Sequence, residues 1–254
     1  MKAIRGIAFI ALMAAGAAFA IAVSAEAAGS SFVELEGGIA FSGYNDVQIP
    51  SKEGTKFSLT DDVESPATPA FRARVGHTLF DRHTVFATVA PFTVRGNGTL
   101  EKDITFAGKT FAAGTKVDST YRFDSYRLTY RYTFADRYYL KVAAGITGKI
   151  RSATIALMSD SGYASRNDLG FVPLVNVFIH WKPHDKFGLV LDMDALASPY
   201  GRAEDALFAL QYEYSPNASL RLGYRVLEGG SDGGGSVYTF ALVNYATVGL
   251  TVRF

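Results

Sequence analysis

From about residue 33 onward, apolar and polar side chains alternate one by one through most of the chain. Val33, Leu35, Ile39 and Phe41 fall on one face, with Glu34, Glu36 and Ser42 on the other. Phe71, Ala73, Val75 and Leu79 oppose Arg72, Arg74 and Thr78. Tyr126, Leu128, Tyr130, Tyr132 and Phe134 oppose Ser125, Arg127, Thr129, Arg131 and Thr133. Leu140, Val142, Ala144, Ile146 and Ile150 oppose Lys141, Thr147, Lys149 and Arg151. The pattern recurs at Phe187–Asp194, Phe208–Tyr214, Leu220–Val226 and Phe240–Phe254. A period of two puts successive side chains on opposite faces of a strand, and no helix can present it. Two segments are less regular, 84–95 with Pro91 and 169–181 with Pro173, and proline in a strand predicts an edge or a bulge there.

The links between these segments alternate in length. Short turns are expected at Asp81–His83, Ala135–Arg137, Pro183–Lys186 and Ser215–Asn217. Long polar or Gly-rich links are expected at about 44–68, 96–119, 159–168, 198–205 and 228–236. Alternating short and long connections predict an all-β, antiparallel, up-and-down transmembrane barrel of about ten strands, within a range of eight to twelve. Tight turns and both termini of the barrel then lie on the periplasmic side. The second long link, from Asp103-Ile104-Thr105-Phe106 to Thr115-Lys116-Val117, is expected to form a small hairpin above the membrane.

The first residues differ from the rest. Lys2 and Arg5 precede an apolar stretch from Ile7 to Val23, and Ala25-Glu26-Ala27 supplies a small-residue cleavage pattern. This order is that of a secretory signal peptide, assigned to 1–27, with the barrel at 28–254. The segment is about long enough to be a membrane anchor instead; the small-residue site and the strand-rich continuation favour cleavage. No other stretch is apolar enough for a transmembrane helix, but a closed barrel crosses a bilayer without one.

Composition narrows the function classes. There are no cysteines, which excludes disulfides and thiolate metal sites, and a net charge of +1 gives no bulk attraction for nucleic acid. Alternation alone does not separate a membrane barrel from a soluble lipocalin-like barrel with its apolar face inward. The apolar faces are nearly free of charge, whereas the polar faces mix Arg and Glu with Thr and Gly small enough for a narrow interior. This predicts apolar side chains toward lipid, with Phe134, Tyr138, Trp181, Tyr212 and Tyr214 as an interfacial girdle.

The chain resembles the small outer-membrane β-barrel proteins of Gram-negative bacteria. The resemblance rests on the export signal, the alternating strands and an aromatic-ended final strand, Tyr245-Ala246-Thr247-Val248-Gly249-Leu250-Thr251-Val252-Arg253-Phe254. It implies residence in the cell outer membrane, and contact with outer-membrane lipid and lipopolysaccharide. It also implies biogenesis through periplasmic chaperones and the barrel-assembly machinery. The assembly signal would comprise Tyr245, Val248, Leu250, Val252 and Phe254.

Candidate chemistry lies first in the charges facing inward. Arg72, Arg74, Arg127, Arg131, Lys141, Lys149, Arg151, Arg221 and Arg225 would meet Glu34, Glu36, Asp192, Asp194 and Glu213. In a narrow lumen such charges must pair or pay several kcal/mol each. A lumen filled by paired charges is therefore favoured over a porin-like narrow channel for small, anionic solutes. His77, His83, His180 and His184 all fall near periplasmic turns, the wrong end for chemistry on surface lipid. A barrel protease of the omptin kind would pair carboxylates with a His at the outer rim, and none is available there. Asp192 and Asp194, with Arg202, Glu204 and Asp205 beyond, could suggest an acid pair or cation site. Asp160, Asp168 and Asp232 match no calcium-loop spacing. The Gly229–Gly235 stretch reads as a flexible loop. The expected role is structural or surface-interacting, without enzyme activity, cofactor or metal.

Overall fold

The computed structural model describes residues 29–254; the signal peptide expected at 1–27 lies outside the described residues. The strands are β1 (Gly29–Gln48), β2 (Phe57–Ser58), β3 (Thr68–Leu79), β4 (His83–Ala90), β5 (Thr93–Thr99), β6 (Ile104–Phe106) and β7 (Lys109–Phe111). They continue with β8 (Lys116–Arg137), β9 (Leu140–Ser159), β10 (Gly162–His184), β11 (Phe187–Ser198), β12 (Gly201–Ser215), β13 (Ala218–Asp232) and β14 (Tyr238–Arg253). Every pairing is antiparallel, and β14 pairs β1 to close the sheet. The seam is tied by Phe254 N–H to Ser31 C=O (2.9 Å) and Ser31 N–H to Phe254 C=O (2.8 Å). β4 and β5 share one position against β8, so the closed barrel has ten staves, as the alternation predicts.

The interruption between β4 and β5 is at Pro91, where a ladder donor is missing. Pro173 behaves differently: β10 runs through it without a break. The reason is topological. β10 pairs β11 only from Val175 downward, so above that point one edge of β10 has no neighbour and a missing N–H costs nothing there.

The four short turns lie together at one end, next to the seam, and the longer connections at the other. The expected lengths of three outer links are corrected. The 159–168, 198–205 and 228–236 segments are mostly strand, because β9 and β10 run on to a turn at Asp160–Ser161, β11 and β12 to one at Pro199–Tyr200, and β13 to Asp232. Gly229 and Gly230 belong to β13 rather than to a flexible loop. A Cβ on Gly230 would stand 1.6 Å from Thr239 O, so this close crossing of backbones needs glycine. The expected outer hairpin exists, but it pairs β6 with β7 through Ala107-Gly108, both at positive φ as a two-residue hairpin turn demands. Lys116-Val117 instead opens β8.

Polarity inverts along the barrel axis. In the lower part of β8, even-numbered residues point out: Leu128 is 62% exposed and Phe134 61%, while Arg127, Thr129 and Arg131 are buried inside. Above Ser125 the outward positions become Asp124, Arg122 and Thr120, and the inward ones become Phe123, Tyr121 and Val117. β9 changes in the same way between Ile150 (outward) and Ile155 and Leu157 (inward). β1 does so through a bulge between Ser42 and Tyr44, which puts Val47 inside. The lower part is thus apolar outside and charged inside, and the upper part is the reverse. The upper core is completed by the 49–67 connection and the β6–β7 hairpin, whose Leu59, Val63, Ile104, Phe106 and Phe111 are fully buried. Ala107 N–H to Ile49 C=O (2.8 Å) and Thr55 N–H to Thr105 C=O (2.9 Å) join the two segments into a cap.

Candidate functional site: the lumen and the outer mouth

The lower lumen is crossed by a layer of ion pairs. Asp205, on β12, accepts from Arg72 Nη2 (2.7 Å), Arg127 Nη2 (2.5 Å) and Arg225 Nη1 (2.5 Å), one arginine from each of three other strands. Asp192 accepts from Arg74 (2.7 Å) and Arg131 (2.5 Å). Glu36 holds Arg225 in a two-pronged bond (2.8 and 2.9 Å), the strong planar geometry of guanidinium with carboxylate. Arg221 comes within 2.5 Å of Glu34, without hydrogen-bond alignment, and Arg74 stands 3.7 Å from the same oxygen.

Register explains why the arginines interleave. Asp194 and Asp205 are direct cross-strand partners on β11 and β12, and like charges in that position repel. Arg127 reaches across the lumen to both (2.8 and 2.5 Å), while Thr147 Oγ1 and Asn176 Nδ2 each donate to Asp194 at 2.8 Å. Beside Arg72, Arg127 and Arg225 the remaining void is about 30 Å³, room for little more than a water. Ion pairs from β1, β3, β8, β11, β12 and β13 span the lumen at this level.

Most of the inward charges expected from sequence meet here: Glu34, Glu36, Arg72, Arg74, Arg127, Arg131, Asp192, Asp194, Arg221 and Arg225. The others sit elsewhere. Lys141 pairs with Asp136 (3.1 Å) near the lower rim, where both are well solvated, and Glu213 stands 3.7 Å from Arg253 at the same end. Arg151 rises above the layer and pairs with Asp168. Lys149 is 97% buried, since it is 3% exposed, but has no ion pair among the described residues; its ammonium lies 4.8 Å from the centre of the Phe123 ring. Asp205 falls outside the lumen set expected from sequence, because 198–205 reads as a loop. The signal was present: Asp205, Leu207, Ala209 and Gln211 continue one inward face.

In the final strand Val248, Leu250, Val252 and Phe254 lie exposed on the outer face, but Tyr245 does not join them. An odd position among even ones, it points inward, is buried, and packs on Phe92 (5.7 Å between centroids). The expected girdle lies at the lower rim. Phe134, Tyr138, Trp181 and Tyr214 are exposed there, and Tyr212 packs against Phe187. All four histidines are near the short-turn end, with His77 bonded to Ser31 (2.9 Å) and His83 to Tyr130 (2.9 Å). No group of three or more potential metal ligands occurs among the described residues.

Just above the apolar belt, the outer faces of β1, β12 and β13 carry a polar clasp. Arg202 grips Glu228 through Nε and Nη2 (2.8 Å each), and Tyr44 donates its hydroxyl to the same carboxylate. Burial disfavours the Glu228 anion, but the bonds from Arg202 and Tyr44 outweigh it and hold this carboxyl below its ordinary pKa. The Tyr44 hydroxyl is pushed up to about 12, by burial first and then by the neighbouring Glu228 charge.

A cavity of about 590 Å³ opens at the outer mouth over the ion-pair layer. Lys149 and Phe123 lie at its base, Tyr121 and Ile155 on one wall, and the β11–β12 turn and Val237 opposite.

Closed barrel, uninterrupted outward apolar belt and aromatic lower rim together are those of an outer-membrane barrel, and this is where the chain resides. The fold itself has solved counterparts. The outer-membrane protease OmpT of Escherichia coli superposes with a TM-score of 0.56 at 8% identity, over 89% of this chain and 97% of that one. Ail, the attachment invasion locus protein of Yersinia pestis, matches at TM-score 0.41 and 12% identity, over 89% and 99%. Neisserial surface protein A matches at 0.33 and 15%, over 89% and 100%. No protein-family model matches the chain, and no curated protein matches it in sequence.

Proposed function

We propose that this chain is a non-enzymatic outer-membrane barrel that works through its outer face, with a lumen that does not conduct. The observation that carries this reading is the five-carboxylate, six-arginine layer across the lumen, with the apolar cap built from 49–67 and the β6–β7 hairpin over part of the mouth above it. Each arginine in the layer bridges strands, so the charges act as cross-struts, the use a narrow barrel makes of its interior. The absence of any histidine near the outer rim supports a binding rather than a hydrolytic role at that face. Lipid and lipopolysaccharide would surround the belt, and the outward face of β14 (Val248, Leu250, Val252, Phe254) would be read during chaperone-assisted assembly.

Single-channel recording in planar bilayers tests the closure. Folded, heat-modifiable protein is expected to give no steps above baseline in 1 M KCl. Reproducible anion-selective steps would overturn the closed-lumen reading in favour of a narrow channel.

A further inference from the structure

The outer cavity has an unusual wall. Between Gly162 and Leu174, β10 pairs only with β9, and its other edge faces no strand. Inward residues of this stretch (Asp168, Val172) and outward ones (Phe171, Pro173) line the same cavity. Since alternate residues of a strand point to opposite faces, the space must pass around the free edge of β10 and reach the outside of the barrel. It does so beside Phe171, which is 70% exposed on the outer face at the top of the apolar belt, and the neighbouring outward Pro173. The cavity therefore opens sideways, toward the outer leaflet, as well as upward.

Its chemistry is amphipathic. The walls are mostly apolar, and of the charged groups lining it Arg151 is taken by Asp168 and Arg202 by Glu228. Lys149 and Arg166 have no carboxylate partner among the described residues; Arg166 only donates to Ser236 Oγ at 3.2 Å. Lys149 stands directly across from Arg127 in the β8–β9 register, with the arginine already committed to Asp194 and Asp205. The buried layer below adds to the excess, with six arginines against five carboxylates. The Lys149 amine in this setting has no carboxylate within ion-pair distance among the described residues, and burying its charge without one is costly.

We propose that the cavity binds an acyl-chain anion that enters laterally between β10 and β11, its carboxylate on Lys149 and its chain along Phe171 and Leu196. The volume lies within the range of small-ligand sites, about 300–1,000 Å³. The inference builds on the closed lumen, which supplies the cavity floor, but it is tested separately, since conductance can be present or absent whatever binds at the mouth.

The probe is dodecanoate carrying a terminal diazirine, photolysed with the folded barrel in detergent and read by intact mass and peptide mapping. Dodecanoate and dodecan-1-ol serve as competitors. Labelling is expected to saturate, to map to the 169–174 and 195–200 segments, and to yield to dodecanoate at a concentration about tenfold or more below dodecan-1-ol, the scale of one charge-assisted bond. In Lys149→Met that preference is expected to vanish, while competition by the alcohol is unchanged. In Lys149→Arg it is expected to persist. Labelling that never saturates and spreads around the belt overturns the proposal. So does equal competition by acid and alcohol in the unaltered protein, which decides the matter even if Lys149→Met fails to fold. An unchanged preference in folded Lys149→Met also overturns it.

Discussion

Replacing Asp205 by Asn is the sharpest probe of the ion-pair layer, because the carboxylate is 2% exposed and shared by three guanidiniums. Their alternatives are unequal. Arg127 keeps Asp194, and Arg225 keeps its two-pronged bond to Glu36. Arg72 is left with Glu36 at 3.9 Å, too far for a hydrogen bond. One cation is thus stranded, and breaking a buried pair from one side costs about 3–5 kcal/mol. With two of three arginines still served, about 3 kcal/mol is expected. Asp194→Asn makes the matched control. It removes a partner that Arg127 can spare and relieves the like-charge contact with Asp205, so about 1 kcal/mol is expected, the scale of an ordinary hydrogen bond. Trp181 is the sole tryptophan and lies 46% exposed on the outer face, so its emission follows passage from lipid to water. Urea unfolding of vesicle-inserted protein, read by this signal, gives both free energies. If Asp194→Asn destabilises as much as Asp205→Asn, the assignment of Asp205 as the hub of the layer is wrong.

Two further outcomes are expected. At the outer rim the phenol of Tyr44, found as the difference between the unaltered protein and Tyr44→Phe, should titrate near 12 by tyrosine 13Cζ NMR. By linkage, the raised Tyr44 value stabilises the clasp below pH 10 and is lost as pH rises through 12. The lowered Glu228 value stabilises it above about pH 4.5 and is lost as pH falls through the folded-state pKa, so amide exchange along β12–β13 should be slowest between these limits; a Tyr44 midpoint at 10 would refute the clasp. At the other end, Phe254→Ala leaves both backbone bonds to Ser31 intact, so refolding into detergent should be unchanged. Assembly into the outer membrane of living cells should fall several-fold, read as heat-modifiable protein; equal yields would refute a recognition role for the ring.

Strand number, alternation and the lumen charges were legible in the sequence because each is a local period-two pattern. What was not legible depended on where that pattern changes phase. In β8 the apolar positions are odd at Val117, Tyr121 and Phe123 and even from Tyr126 to Phe134. Read as one amphipathic strand, the upper half looks like polar loop; read as two phases, it marks the membrane boundary. Asp205 is hidden for the same reason, since the alternation of its strand reads as beginning only after it. The inward fold of the β6–β7 hairpin has no local signature at all. Ile104, Phe106 and Phe111 are buried against the barrel wall and the 49–67 connection that covers the same mouth, the latter a contact between segments about fifty residues apart. Tyr245 shows the converse: it belongs to the ten-residue terminal motif, yet parity alone places its ring inside.

The phase change also fixes the height at which the molecule floats. Sinking β8 by two residues would carry Asp124 and Arg122 into hydrocarbon, and raising it by two would lift Tyr126 and Leu128 into water. β9 and β1 carry the same boundary, so no rocking of the barrel relieves all three at once. A bilayer of the wrong thickness is therefore expected to stretch or thin around this protein, because sliding or tilting it would bury charge or expose the apolar belt.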